Sequence, residues 1–247
     1  MKSLVLFALL AAAACARGGA TRPQAPERMS RTTSAVTTTA APPRTLNLIT
    51  LGDSLAYGTG DETDRGIASR IKGELKSRGV AEVTTLNLGI NGAQTTDLQA
   101  RLRQPRLQQQ LASADAIVLS IGANDLFRTP AAREESLRAP LLVAERILNR
   151  LQEIVAELHR INPHARILLL GGYNPVPGHQ WATQIDRYLD LWDQSLAGAF
   201  EDDPLVAIVK MDDIVTADRL SRYDHFHPGG AAYEAASRRI AAMLVGG

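Results

Sequence analysis

From Leu46 to the C-terminus, short apolar runs alternate with longer amphipathic stretches, and no hairpin turn joins one apolar run to the next. This alternation constrains the fold more than any other feature. Leu46–Leu51, Val83–Leu88, Ala116–Ile121, Arg166–Leu170 and Val206–Val209 read as strands. Between them lie helical patterns. Gly66–Arg78 carries Ile67, Ile71 and Leu75 at helical spacing, with Gly79 placed as its stop. Thr95–Leu111 carries Leu98, Leu102, Leu107 and Leu111. Leu137–Ile161 carries Leu141, Ile147, Leu151, Ile154, Val155 and Leu158 along one side, and Asn162-Pro163 ends it. Trp181–Phe200 and Gly229–Leu244 complete the set, the latter with Pro228 expected at its first position. Each crossover is long enough for a helix, so the strands should pair in parallel. Their near-continuous apolar character fits a sheet covered on both faces. The expected class is α/β, a three-layer α/β/α sandwich with right-handed crossovers. The order of the strands is not readable from the sequence.

The first 44 residues are of another kind. Lys2 precedes an apolar run of eleven residues, Leu4–Ala14, too short to span a bilayer and suited to the core of a signal peptide. Ala12-Ala13-Ala14-Cys15 resembles a bacterial lipobox, in which the cysteine becomes the lipidated N-terminus. Ordinary cleavage after a small residue is the alternative. Residues 1–15 are therefore expected as signal peptide and lipobox. Residues 16–44, rich in Thr, Ser, Ala, Pro and Arg, should form a disordered tether, because they lack the apolar surface to offset ordering entropy. Residues 45–247 then form one domain. The expected destination is export and anchoring in the bacterial cell envelope through Cys15, or otherwise a periplasmic or secreted protein. Cys15 is the only cysteine, so no intrachain disulfide can form.

In a parallel sheet of this kind, ligands bind beyond the carboxyl ends of the strands. Those ends carry Gly52-Asp53-Ser54-Leu55, Gly89-Ile90-Asn91-Gly92, Gly122-Ala123-Asn124-Asp125 and Gly171-Gly172-Tyr173-Asn174-Pro175. Asp224-His225-Phe226-His227-Pro228 precedes the last helix. Taken alone, Ser54 is a turn or cap serine, Asn124 a turn amide and Gly89 a strand-end turn. Taken together, they hold the parts that acyl transfer needs. A serine hydroxyl requires a base, the base requires an orienting group, and the tetrahedral intermediate requires hydrogen-bond donors for its oxyanion. Ser54 is the candidate nucleophile, His227 the base and Asp224 its orienter. The candidate oxyanion donors are the Ser54 and Gly89 N–H groups and the Asn124 amide. Asp224 and His227 are three residues apart and can share one face of a turn, whereas His225, the other candidate base, adjoins Asp224 and should point elsewhere. Asp224 also competes as an acid at the N-terminus of the last helix. Asp53 and Asp125 are expected to hydrogen-bond their own loops.

These four blocks, in this order, resemble the GDSL lipases and esterases, also called SGNH hydrolases, whose name records Ser, Gly, Asn and His. The blocks are Gly52-Asp53-Ser54-Leu55, Asn87-Leu88-Gly89-Ile90-Asn91-Gly92, Gly122-Ala123-Asn124-Asp125 and Asp224-His225-Phe226-His227-Pro228. The resemblance covers nearly all of residues 45–245. It implies a flavodoxin-like, five-stranded parallel sheet and a serine esterase with no metal or organic cofactor. It also implies that Ser54, Asp224 and His227 form the triad and that Ser54, Gly89 and Asn124 supply the oxyanion donors.

Other classes fit less well. A net charge of +1 and 4% aromatic residues give no reason to expect nucleic acid as a partner. Gly58-Thr59-Gly60 lacks the Lys-Ser/Thr of a phosphate-binding loop. Asp202-Asp203 and Asp212-Asp213 lack companion ligands at metal spacing and are expected as solvated loops. A small-molecule, lipid or sugar ester is the expected substrate, with the membrane reached only through the N-terminal lipid. Thioesterase or acyltransferase chemistry uses the same groups, and a non-catalytic envelope-binding module is the alternative from another class. Leu126–Ala139 shows no lid insertion, which favours an open site for short acyl groups.

Overall fold

The computed structural model describes residues 45–246; the signal segment, Cys15 and the tether lie outside the described residues. Five strands form one sheet: β1 (Thr45–Gly52), β2 (Glu82–Gly89), β3 (Ala116–Ser120), β4 (Arg166–Leu170) and β5 (Val206–Val209). All pairs are parallel and the order is β2-β1-β3-β4-β5. The expected three-layer, five-stranded parallel sandwich is therefore met. The chain steps to one side of β1 for β2 and to the other for β3, so the crossovers diverge at β1 and open a crevice above its carboxyl end.

Strand residues alternate between two cores, as the two-residue period of a strand requires. Leu48, Val118 and Leu168 pack with Ile67, Ile71 and Leu75 of α2 (Gly66–Ser77) and with Tyr233, Ala236 and Ile240 of α9 (Gly230–Val245). Ile49, Leu51, Ile117 and Leu119 face the other way, toward α3 (Thr95–Leu102), α4 (Pro105–Leu111), α7 (Pro140–Ile161) and α8 (Ala182–Ala199). Each fully buried leucine or isoleucine stabilises the sandwich by about 1.5–3 kcal/mol relative to exposure.

Several expectations at the level of single elements need correction, and proline is the usual reason. Thr95–Leu111 is two helices, because Gln104 before Pro105 takes an extended conformation (φ −80°, ψ 124°). The stretch Leu137–Ile161 is likewise divided. Leu137 lies in the last turn of α6 (Pro130–Arg138), Ala139 leaves helical geometry, and α7 starts afresh with Pro140 in its first turn. Leu141, expected on the buried side of this helix, is 51% exposed. Pro228 is not the first residue of α9. Gly229 is the N-cap, and Pro228 faces Leu220 in an isolated antiparallel bridge. Trp181 and Phe200 cap α8 rather than belonging to it. Leu126–Ala139 is no bare loop, since it spans the end of α5 (Ala123–Phe127) and all of α6.

Candidate active site

The structure brings the strand ends together through close backbone contacts. Gly52 closes β1 with φ +125°, and a Cβ there would stand 1.8 Å from the Ser120 carbonyl of β3. Only glycine permits that approach. The chain turns at once into α1 (Ser54–Tyr57), with Asp53 as its N-cap. One oxygen of the Asp53 carboxylate accepts the Leu55 N–H (3.0 Å) and the Ser120 hydroxyl (2.8 Å). Asp53 thus has the structural role expected of it, although its link to β3 was not foreseen. Ser54 is the first helical residue, so its N–H has no acceptor inside the helix.

Asp224 and His227 sit in a compact turn between β5 and α9. The Leu220–Pro228 bridge closes it, and the Ser221 N–H donates to the His227 carbonyl (2.7 Å). One Asp224 oxygen accepts the Phe226 and His227 N–H groups, both at 2.9 Å. The other lies 2.6 Å from His227 Nδ1, and His227 Nε2 lies 3.0 Å from Ser54 Oγ. An ionised carboxylate only accepts, so Nδ1 carries a proton, and in the neutral ring the Nε2 lone pair faces the serine. Burial pushes the Asp224 carboxyl up, but the His227 ring and the two N–H donors outweigh it and hold the group below its usual range. His225 is exposed with φ 53° and plays no part in this chain of contacts. Asp224 does not cap α9 either. The first turn of α9 contains no acid, and the carboxylate on the Gly230 N–H belongs to Glu62 (2.7 Å).

Gly89 lies against α1. A Cβ at this position would meet Tyr57 N at 2.2 Å and the Ala56 carbonyl carbon at 2.7 Å. The Gly89 N–H donates to Asn87 Oδ1 (3.0 Å), and Asn87 Nδ2 donates to the Tyr57 carbonyl (2.8 Å). Asn87 therefore laces β2 to the serine helix. The sequence marked it only as the first residue of the Asn87–Gly92 block, with no role of its own. Asn124 donates one side-chain amide hydrogen to the Ala93 carbonyl (3.0 Å), and its backbone carbonyl accepts from Gln94 Nε2 (3.2 Å), which holds α5 on the turn after β2. The second Asn124 hydrogen is available to a ligand. Asp125 has a structural role, but beyond its own loop: it accepts from the Thr95 N–H (2.9 Å) and hydroxyl (2.6 Å) and so ties α5 to the start of α3.

Two further residues went unrecognised in the sequence. The half-buried Tyr173 donates its hydroxyl to the Phe226 carbonyl (3.1 Å), and desolvation, with Asp53 and Asp224 nearby, pushes its phenol well above the ordinary value. Phe127 of α5 meets Phe226 edge to face at 6.0 Å, and Phe226 meets the His227 ring at 5.2 Å. Asp53, 2% exposed, has its pKa pushed up to about 6 by burial, partly offset by Ser120, the Leu55 and Ala56 N–H groups and His227.

Among the described residues, no group of three His, Cys, Asp or Glu side chains is arranged to hold a metal. Asp203 instead pairs with His159 (2.9 Å), Asp212 with Lys210 (3.2 Å) and Asp213 with Arg239 (2.6 Å), so the two acidic pairs are more engaged than solvated loops would be.

The sequence model of the GDSL-like Lipase/Acylhydrolase family matches residues 50–235. Uncharacterized protein YpmR of Bacillus subtilis (strain 168) is 26% identical over 200 residues, covering 77% of this chain and 78% of YpmR. Spore germination lipase LipC of Bacillus licheniformis is 25% identical over 215 residues, covering 82% of this chain and 98% of LipC. Among solved structures, the lipase Lip_vut3 from a goat rumen metagenome aligns with a TM-score of 0.69 at 24% identity, over 80% of this chain and 96% of the other. A catalytic mutant of Axe2, an acetylxylan esterase from Geobacillus stearothermophilus, aligns with a TM-score of 0.61 at 17% identity, over 81% of this chain and 94% of the other. These two likenesses establish the SGNH hydrolase fold. With a match that spans most of the chain, the protein belongs to the GDSL-like lipase/acylhydrolase family and is an ester-hydrolysing enzyme.

Proposed function

We propose that the enzyme is a serine carboxylic-ester hydrolase that works through an acyl-Ser54 intermediate. The observation that carries this reading is the continuous Asp224–His227–Ser54 relay, with 2.6 Å and 3.0 Å between successive heavy atoms. Ser54 Oγ attacks the ester carbonyl carbon while His227 Nε2 takes the hydroxyl proton. Asp224 keeps the ring in the tautomer that can accept it and stabilises the imidazolium. The tetrahedral oxyanion is received by the Ser54 N–H, the free hydrogen of Asn124 and the Gly89 N–H, which shares its hydrogen with Asn87 Oδ1 or releases it. The intermediate collapses, the alcohol leaves with the proton from His227, and Ser54 retains the acyl group. Water then gives a proton to His227 and attacks the acyl carbon. The carboxylic acid departs and Ser54 regains its hydrogen.

Replacement of Ser54 by alanine should abolish hydrolysis of p-nitrophenyl acetate and labelling by a fluorophosphonate, with the circular dichroism spectrum unchanged. Near-normal turnover by the folded variant would refute the assignment. It would leave the serine-independent alternatives, among them a binding module with adventitious activity. Transfer of the acyl group to an added alcohol, read by product analysis, separates acyltransfer from hydrolysis on the same intermediate.

We also place the enzyme in the cell envelope, anchored through Cys15 with residues 16–44 as the tether. The support is the Leu4–Ala14 run and the small residues before Cys15. Cys15→Ala should release the enzyme from the membrane fraction if the anchor is lipid. Unchanged membrane association would contradict it.

A further inference from the structure

Ser54 and His227 are 173 residues apart in sequence, so something must fix the turn that carries His227 over the helix that carries Ser54. The turn's internal hydrogen bonds shape it but do not attach it to α1. The attachment comes from the segment just after α1, and above all from one side chain. Glu62 Oε1 accepts the Arg222 N–H at 3.0 Å, and Glu62 Oε2 accepts the Gly230 N–H at 2.7 Å. Arg222 lies two residues before Asp224, and Gly230 three residues after His227. One carboxylate therefore grips the chain on both sides of the Asp224–His227 pair.

Each contact joins a charged acceptor to a backbone donor, which strengthens the bond, and the one to Gly230 is also short. The Gly230 N–H opens a helix of 16 residues, so it has no partner inside α9 and sits at the positive end of the helix dipole. The anchor point is itself immobilised. The neighbouring Asp61, 3% exposed, accepts the Thr63 N–H and hydroxyl, the Gly66 N–H and two guanidinium nitrogens of Arg70, and Arg70 reaches on to Glu234 of α9. The Tyr233 hydroxyl, from α9, donates to the Thr59 carbonyl at 2.8 Å. The loop after the serine helix is thus rigid and docked on α9, and Glu62 is its projection toward the histidine turn.

We propose that Glu62 is a positioning residue for the reaction: its carboxylate holds the turn that carries the base at hydrogen-bond distance from Ser54. This rests on the reading of Ser54 and His227 given above. With alanine at position 62, both backbone contacts are lost and the turn can drift. A misplacement of about 1 Å between reacting groups can cost about a hundredfold in rate. Glutamine keeps one acceptor oxygen and should lose less.

The test compares Glu62→Ala and Glu62→Gln with the parent and with Ile154→Val, a core change beneath the other face of the sheet that lowers stability without touching the site. At a temperature where all are folded, kcat for p-nitrophenyl acetate should fall about tenfold to a hundredfold in Glu62→Ala and by a smaller factor in Glu62→Gln. KM should stay within about twofold, and Ile154→Val should match the parent. Fluorophosphonate labelling of Ser54 should slow in parallel. The downfield proton resonance of the His227–Asp224 hydrogen bond should broaden or move in Glu62→Ala. If kcat and labelling stay within about threefold of the parent, or if Ile154→Val slows as much, the proposal is overturned. Should Glu62→Ala fail to fold, Glu62→Gln decides: its kcat and labelling rate should fall by at least about twofold, and values equal to the parent overturn the proposal. A fully active Ser54→Ala variant is a separate outcome, which removes the nucleophile assignment and this proposal with it.

Discussion

Gly89→Ala separates two reasons for a glycine at the end of β2. Alanine keeps the backbone N–H, so a residue needed only as a hydrogen-bond donor should tolerate the change. The structure gives a different expectation. The new Cβ would lie 2.2 Å from Tyr57 N, and ordinary contact begins at 3.4 Å, so β2 and α1 must part by about 1.2 Å. Backbone atoms make up the nearest contacts, so no side-chain rotation relieves the clash. The separation strains the Asn87–Tyr57 and Asn87–Gly89 hydrogen bonds and moves Ser54 relative to His227. Overpacking of this kind costs about 1–3 kcal/mol. For a domain of this size that corresponds to a fall of roughly 2–12 °C in Tm. A displacement near 1 Å at the reacting atoms predicts a loss of about a hundredfold in kcat/KM, or about 2.7 kcal/mol of transition-state stabilisation. The assay is steady-state hydrolysis of p-nitrophenyl acetate, with thermal melts to confirm folding at the assay temperature. A variant with kcat/KM within about threefold of the parent would show that the close approach of β2 to α1 does not set the site.

Two predictions concern buried charge. The folded pKa of Asp53 is raised from 3.8 to about 6, so the fold favours its protonated form. Its contribution is fully favourable below the unfolded value and is lost as pH rises toward 6, by about 3 kcal/mol in all. Urea unfolding of the parent and of Asp53→Asn should therefore differ by a pH-dependent amount, the parent losing ground between pH 4 and 7; a constant difference would refute this. For Asp61, burial raises the pKa, but Arg70 and the Thr63 donors more than reverse that and leave it far below the usual carboxylate range. Its stabilisation is present above the unfolded pKa and is lost as pH falls below about 4. Asp61→Ala leaves the 6% exposed Arg70 short of its main partner and should cost about 3 kcal/mol or more by urea unfolding at pH 7; a loss below about 1 kcal/mol would contradict it.

The architecture was legible because apolar periodicity reports burial directly. Strands β4 and β5 start and end where the apolar runs do, and β1 to β3 differ by a residue at their ends. The helix breaks at Gln104 and Ala139 were legible in principle, since each precedes a proline, but the leucines on either side kept up the pattern and hid them. Within the site, Ser54, Asp224 and His227 could be singled out because acyl transfer demands those groups and a parallel sheet collects them at one edge. The roles of Asn87, Ser120, Tyr173 and Glu62 were not readable, although Asn87 and Tyr173 stand within strand-end blocks. Each acts by hydrogen bonds to a distant partner, and nothing local in the chain distinguishes an asparagine, tyrosine or glutamate that has such a partner from one in solvent.

Local chemistry and its repetition along the chain thus determined the class of fold, the edge of the sheet where its polar strand-end residues gather, and which of them are the candidates for the site. The tertiary structure decided the strand order and the distances. It brought Gly52 against Ser120 and Gly89 against α1, set His227 Nε2 3.0 Å from Ser54 Oγ, and spanned the histidine turn with Glu62. The physical reason is that burial is encoded residue by residue, in side-chain polarity and spacing. A hydrogen bond between segments 173 residues apart is encoded only in how the packed layers meet.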